Sequence, residues 1–446
     1  MKTILIKNAN IVNEGAIFRG DVLIENDRIA EIAESISMKT AETEIIEADG
    51  YYLLPGLIDD QVHFREPGLT HKATIETESK AAIAGGITTF IEMPNTVPQA
   101  TTIEKLEEKF TIANNTSWAN YSFMFGGTND NLDEILKVDE QKVAGLKLFL
   151  GSSTGNMLVD DPKVLEEIFR KTNLLISVHC EDEATIQKNL ETYKKEYGDD
   201  IPMNLHPIIR SEEACYISSS KAIALAKKTG ARLHVFHIST EKETHLFSKK
   251  KALSEKKITS EVCLHHLWFT DEDYQEKGTK IKWNPAVKTQ KDKDGLWKAL
   301  LNNRIDVIAT DHAPHTLEEK DNVYTKAPSG GPLVQHALVA LLEMYHKGKI
   351  SLEKIVEKTA HNPAILFQIK ERGYVRKGYK ADLVLVDMNS PWTVTKDNIL
   401  YKCGWSPFEG TTFTSRVTHT FVNGVLSYAN FKFPNKPQAE RITFNR

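Results

Sequence analysis

The chain has 446 residues, 41% hydrophobic and 26% charged, a globular balance that excludes fibrous and disordered classes. Lys plus Arg number 56 against 61 Asp plus Glu, a net charge of −5, so no basic excess exists to grip nucleic acid. No run of ~18 apolar residues is present to span a membrane, and the length suits one α/β barrel of ~250 residues plus a smaller unit.

In chain order, Met1 to Asn8 breaks its apolar run at Lys7 and lacks the long apolar core of a secretory signal. Period-two alternation predicts short strands at Thr3 to Ile6, Asn10 to Val12, Asp21 to Ile24 and Arg28 to Ile32. The middle of the chain has another rhythm. Eight short apolar runs are expected as strands: 56–58, 87–93, 119–125, 143–150, 174–178, 232–238, 258–263 and 305–309. Amphipathic segments at 75–84, 163–171, 212–228 and 291–302 fall between them and read as helices. Eight strands alternating with helices fit an α/β fold, a (β/α)8 TIM barrel over 53–374. An open doubly wound sheet is the rival, disfavoured because no glycine-rich phosphate fingerprint follows the first run. Strands return at Ala381 to Val386, Arg416 to Val422 and Val425 to Tyr428, with Asn423-Gly424 suited to a type I′ turn. Residues 1–52 plus 375–446 are therefore expected to form one small composite β-sandwich domain. Cys180, Cys215, Cys263 and Cys403 are scattered without a CxxC pair, which fits buried free thiols in a reducing cytoplasmic setting.

Barrel chemistry collects where strands end. The first run leads into Asp59-Asp60-Gln61-Val62-His63-Phe64-Arg65-Glu66, and the second into Met93-Pro94-Asn95-Thr96. Lys147 lies in the fourth run, His179 and His237 end the fifth and sixth, and Asp311 follows the eighth. A single strand-end histidine is more often packed than ligating. Three histidines with an aspartate, on separate strands of one barrel, converge on its axis and suit zinc or its neighbours. An ammonium repels a cation, so Lys147 either snorkels out of the barrel or reacts as a neutral amine with carbon dioxide. The resulting carbamate is an anionic oxygen ligand.

With Pro55-Gly56-Leu57-Ile58-Asp59 ahead of them, these residues resemble the amidohydrolase superfamily. His63-Phe64-Arg65-Glu66-Pro67-Gly68, Met93-Pro94-Asn95-Thr96 and Ala309-Thr310-Asp311-His312-Ala313-Pro314-His315 resemble its dihydroorotase family in particular. The resemblance covers nearly the whole chain. It implies an enzyme that reversibly hydrolyses the cyclic amide of dihydroorotate to N-carbamoyl-L-aspartate, in pyrimidine synthesis. It implies one or two Zn2+ per chain: His63 and Asp311 on the first, His179 and His237 on the second, and carbamylated Lys147 bridging both. Asp311 is also implied as the proton carrier. Arg65, Asn95, Asn284, His315, Ser329 and Gly330 match substrate positions, Arg65 having the planar fork that suits the substrate carboxylate. By residue type alone, Asn95 and Asn284 are more often turn residues. Gly151 to Asn156 reads equally as a mobile lid or an ordinary loop, and His265 and His266 as supporting residues. The partner implied is a small molecule, with neither nucleic acid nor membrane, and homo-oligomers are common in the family.

One position departs from the family. Its His-x-His motif is Gln61-Val62-His63 here. A glutamine carbonyl is a weaker zinc ligand than imidazole, so the first metal is expected to be looser or absent. Allantoinase, dihydropyrimidinase and a non-catalytic partner subunit are the competing readings. Hydantoin-like rings carry no carboxylate for Arg65.

Overall fold

In the computed structural model, which describes residues 3–37, 42–151 and 157–446, the N-terminal alternation becomes a meander. β1 (Thr3–Asn13) pairs antiparallel with β2 (Ala16–Glu25), and β2 with β3 (Arg28–Ala33). The two short strands expected within residues 3–12 are one strand, with a register shift between Ile6 and Ala9. Asn8 sits there at φ 60, its backbone N–H donated to Asp21 Oδ1 at 2.8 Å, which is how the polar break is absorbed without ending the strand. β4 (Glu44–Glu47) and β5 (Tyr52–Pro55) both run parallel to β1, one after the other along its edge.

The barrel follows. Its strands are β6 (Leu57–Val62), β7 (Ile87–Glu92), β8 (Asn120–Gly126), β9 (Gly145–Phe149), β10 (Ile176–His179), β11 (Leu233–Val235), β12 (Ile258–Cys263) and β13 (Val307–Ala309). Each pairs parallel with the next. All eight expected runs are therefore strands. The seam between β13 and β6 closes just past the strand ends, through a Val62–His312 bridge and His63 N–H donating to His312 O at 2.7 Å. Thr310 Oγ1 donates to Asp59 Oδ2 at 2.6 Å across the same seam. Closure thus brings His63 beside Asp311.

Helices occupy the intervals because each has a local start signal. Thr74 caps helix Ile75–Ala84 in a capping box with Thr77. Asp161 caps Pro162–Lys171, where Pro162 supplies a preset φ. Ser211 caps Glu212–Thr229, which ends on Gly230 in the left-handed region, and Thr289 caps Gln290–Leu301. Ile58, Ile91, Met124, Phe236 and Val307 form a buried cluster that Phe367, Ile442 and Phe444 complete. The C-terminal tail reaches it by pairing with the barrel, Ile442 N–H donating to Tyr121 O at 3.0 Å.

Both chain ends share a mixed sheet. β14 (Leu383–Asp387) pairs antiparallel with β5; past a two-residue ribbon, β15 (Trp392–Thr393) with β16 (Thr412–Phe413), β17 (Arg416–Val422) pairs with β14 and β18 (Val425–Ala429) with β17. Asn423 and Gly424 have φ 47 and 72, as the type I′ turn requires. Among the described residues, no helix is long and apolar enough to cross a membrane. All four cysteines are unpaired, three of them buried.

Candidate active site

A cavity of about 630 Å³ opens where the barrel strands end. The expected metal and substrate residues all line it: His63, Lys147, His179, His237 and Asp311, together with Arg65, Asn95, Asn284, His315, Ser329 and Gly330. Gln61 lines it as well. The lid expected at 151–156 lies, beyond Gly151, outside the described residues. His265 and His266 are buried behind the wall. His265 stacks on Trp283 with ring centroids 4.3 Å apart, and Trp283 Nε1 donates to Asp311 O at 3.3 Å.

Three of these residues hold backbone that non-glycine residues rarely adopt: Arg65 at φ 68, His237 at φ 39 and Asp311 at φ 48. Such conformations cost ~1–3 kcal/mol each and persist where side chains must be aimed. After Arg65 the chain turns at Gly68, φ 84, where an added Cβ would lie 1.9 Å from Val97 O. That close approach ties the Arg65 turn to the Asn95 turn.

On one side of the cavity His63 Nδ1 lies 2.9 Å from Asn95 Oδ1, and His63 Nε2 lies 3.3 Å from Asp311 Oδ1. Asn95 Oδ1 can only accept, so the ring proton is on Nδ1. The bare Nε2 lone pair then faces a carboxylate. Burial lowers the His63 pKa, which opposes a second ring proton. Two acceptors facing one another are reconciled by a cation.

On the other side His179 Nε2 lies 2.9 Å from Glu181 Oε2, and Arg210 donates to the same oxygen. Burial would raise the Glu181 pKa, but Arg210 and His179 override it and hold it at about 2. The carboxylate accepts a hydrogen bond from His179 Nε2–H, which leaves Nδ1 as a lone pair, 2.9 Å from His237 Nε2. His237 Nδ1 is buried and accepts or donates no hydrogen bond. Burial and the neighbouring His179 hold the His237 pKa well below that of ordinary imidazole. Two imidazoles facing each other, one oriented by a carboxylate, are what a metal requires. Both halves of the cavity therefore fit metal ions.

Lys147 stands between them, 1% exposed, its Nζ over the ring faces of Phe236 and Phe149 at 4.1 and 4.9 Å. Burial pulls its pKa down to about 7, so neutral amine is available. Gln61 Oε1 accepts from Cys263 Sγ at 3.5 Å.

The rim is cationic. Arg65 Nε donates to Pro314 O at 3.0 Å, and burial lowers the guanidinium pKa only to about 10, so it stays charged. Lys72 Nζ, which can only donate, lies 3.1 Å from His315 Nδ1. His315 Nε2 lies 3.0 Å from both Arg65 Nη2 and Ser329 O, so each ring nitrogen faces a cationic side chain. Ser329 Oγ donates to Asn284 Oδ1 at 2.9 Å. Sequence reasoning missed Lys72 and Glu181. The Glu181 signal was its place two residues past a strand-end histidine.

The amidohydrolase family model matches residues 52–426. Dihydroorotase from Carboxydothermus hydrogenoformans is 36% identical over 435 residues, covering 95% of this chain and 97% of that one. Dihydroorotase from Methanosphaera stadtmanae is 32% identical over 450 residues, covering 98% and 99%. Among solved structures, the L-hydantoinase (dihydropyrimidinase) from Arthrobacter aurescens superposes with TM-score 0.94 at 28% identity, covering 99% of this chain and 100% of that one. Dihydropyrimidinase from Brevibacillus agri gives TM-score 0.88 at 25% identity, covering 100% of both chains. With a strand-end histidine, lysine and aspartate set in a (β/α)8 barrel and a family match over most of its length, this chain belongs to the amidohydrolase family.

Proposed function

We propose that the protein is a dihydroorotase, a metal-dependent cyclic amidohydrolase that interconverts dihydroorotate and N-carbamoyl-L-aspartate. The observation that carries this reading is Arg65. It is a buried, charged guanidinium on the wall of the metal-fitting cavity, where a substrate carboxylate would meet it. Full-length likeness to dihydroorotases supports it.

His179 and His237, with Lys147 as its carbamate, would hold one zinc. His63 and Asp311 would share the same carbamate on a second. When bound, zinc polarises the ring carbonyl and activates the attacking water. Asp311 accepts the proton of that water on its carboxylate and delivers it to the leaving ring nitrogen. Arg65 orients the substrate carboxylate from the rim. Asn95 and Glu181 act through His63 and His179, fixing the tautomers that aim lone pairs inward. Asn284, Ser329 and Gly330 shape the rest of the wall, and His315 stands beside Arg65, its Nε2 3.0 Å from Arg65 Nη2. Gln61 leaves the first position without a second imidazole, so the zinc at His179 and His237 is the tighter one. In this reading residues 53–374 carry the chemistry, and 1–52 with 375–446 form the supporting β unit.

The hydantoinase reading is favoured by the solved structures, and the ring tells the two apart. Comparing kcat/KM for dihydroorotate and for hydantoin tests the proposal. Preference for dihydroorotate by at least about tenfold supports it; preference for hydantoin overturns it.

A further inference from the structure

Behind the cavity wall lies a second group of metal-ligating side chains that the mechanism above does not use. Asp60 on β6, His234 on β11 and Glu261 on β12 are 1% exposed or less, and each points one donor atom at the others within 4.8 Å. His234 Nε2 lies 3.2 Å from Glu261 Oε2 and 3.4 Å from Asp60 Oδ2. Neither Asp60 oxygen takes part in a hydrogen bond.

The tautomer of His234 follows from its other side. Thr259 Oγ1 donates its only proton to Leu233 O at 3.3 Å. It therefore accepts at 2.9 Å from His234 Nδ1, which must carry the ring proton. His234 Nε2 faces two carboxylates; burial lowers the ring pKa, but Asp60 and Glu261 override it and raise it to about 9. Glu261 Oε1 is engaged elsewhere, accepting the His237 backbone N–H at 3.2 Å. Burial and the neighbouring Asp60 hold the Glu261 pKa well above that of an ordinary carboxylate, so without a metal the cluster neutralises its two carboxylates only by binding protons. A divalent cation would neutralise both. Tetrahedral zinc with ligands at ~2.0–2.1 Å sets its donor atoms about 3.3 Å apart, which the 3.2 and 3.4 Å separations match. His234 Nε2, Glu261 Oε2 and one Asp60 oxygen supply three donors, since the two oxygens of one carboxylate lie too close together to fill two tetrahedral positions.

We infer that Asp60, His234 and Glu261 bind a divalent transition-metal ion, of zinc type, inside the barrel and separate from the ions of the cavity. This ion is structural. It ties three barrel strands together directly beneath the peptide of His237. It stands independently of the substrate assigned to the cavity. Because its ligands have almost no exposed surface, the ion exchanges only when the barrel opens.

The test is zinc content and location in the full-length protein. Protein made with zinc is dialysed against dipicolinate and its zinc is measured by mass spectrometry. Crystals are then measured above and below the zinc absorption edge. The expected result is about one chelator-resistant zinc per chain and an anomalous peak between Asp60, His234 and Glu261. Asp60→Asn, which keeps shape and removes charge, should lower the retained zinc at least about tenfold while zinc still rebinds in the cavity. Should that variant not fold, the wild-type anomalous map decides. An empty position between the three side chains, or unchanged retention in Asp60→Asn, overturns the inference. A peak only at His179 and His237 would do the same while leaving the cavity reading intact.

Discussion

Arg65→Met is the substitution whose effect follows most directly from the geometry. The guanidinium is 8% exposed, anchored through Nε on Pro314 O at 3.0 Å, and charged at neutral pH. Methionine fills similar space without charge. A substrate carboxylate held by the fork loses two charge-assisted hydrogen bonds of ~1.5–3 kcal/mol each. The total, ~3–6 kcal/mol, is about a 160- to 25,000-fold fall in kcat/KM for dihydroorotate. Dihydrouracil, the same ring without the carboxylate, lacks that contact and should lose less than about tenfold. Initial rates on both rings, with metal content measured alongside, give the comparison. Equal losses on the two rings would mean that Arg65 only braces the Pro314 turn, and the carboxylate assignment would be wrong.

Asp311→Asn should leave the fold intact by circular dichroism and cut kcat by at least about a hundredfold, since proton transfer by a positioned group is worth ~10²–10⁴; retained turnover would contradict its role. Gln61→His should tighten the more weakly held zinc, read by competition with a chromophoric chelator, and an unchanged affinity would place residue 61 outside the ligand set. Glu181→Gln should weaken zinc at His179 and His237 by ~10–100-fold. The same variant tests linkage. The Glu181 pKa is depressed from 4.5 to about 2, so its contribution is complete above 4.5 and lost as pH falls through 2. By that shift the contribution is at most ~3 kcal/mol, and acid unfolding of the variant should be flatter across that window. An unchanged acid profile would refute it.

Much of this was readable in the sequence because the barrel writes itself plainly. Strands buried on both faces are apolar runs, and the polar residue at the end of each run is where a side chain can reach the axis. His63, Lys147, His179, His237 and Asp311 were found that way. The residues that were not found act through others. Glu181 and Lys72 matter only because the fold sets them against His179 Nε2 and the His315 ring. His234 and Glu261 interrupt two apolar runs and Asp60 follows a third, yet nothing in a linear pattern says that they meet across β6, β11 and β12. Long-range pairing was equally hidden at the N-terminus. The alternation broke at Lys7 and Asn8, and only the Asp21 contact explains why β1 continues through them.

The most direct test of the central claim is turnover of dihydroorotate by the purified full-length chain, followed by ring absorbance, before and after chelation and after zinc is restored. The account predicts turnover that chelation removes and zinc returns. A zinc-loaded chain that leaves dihydroorotate untouched while opening hydantoin would contradict it.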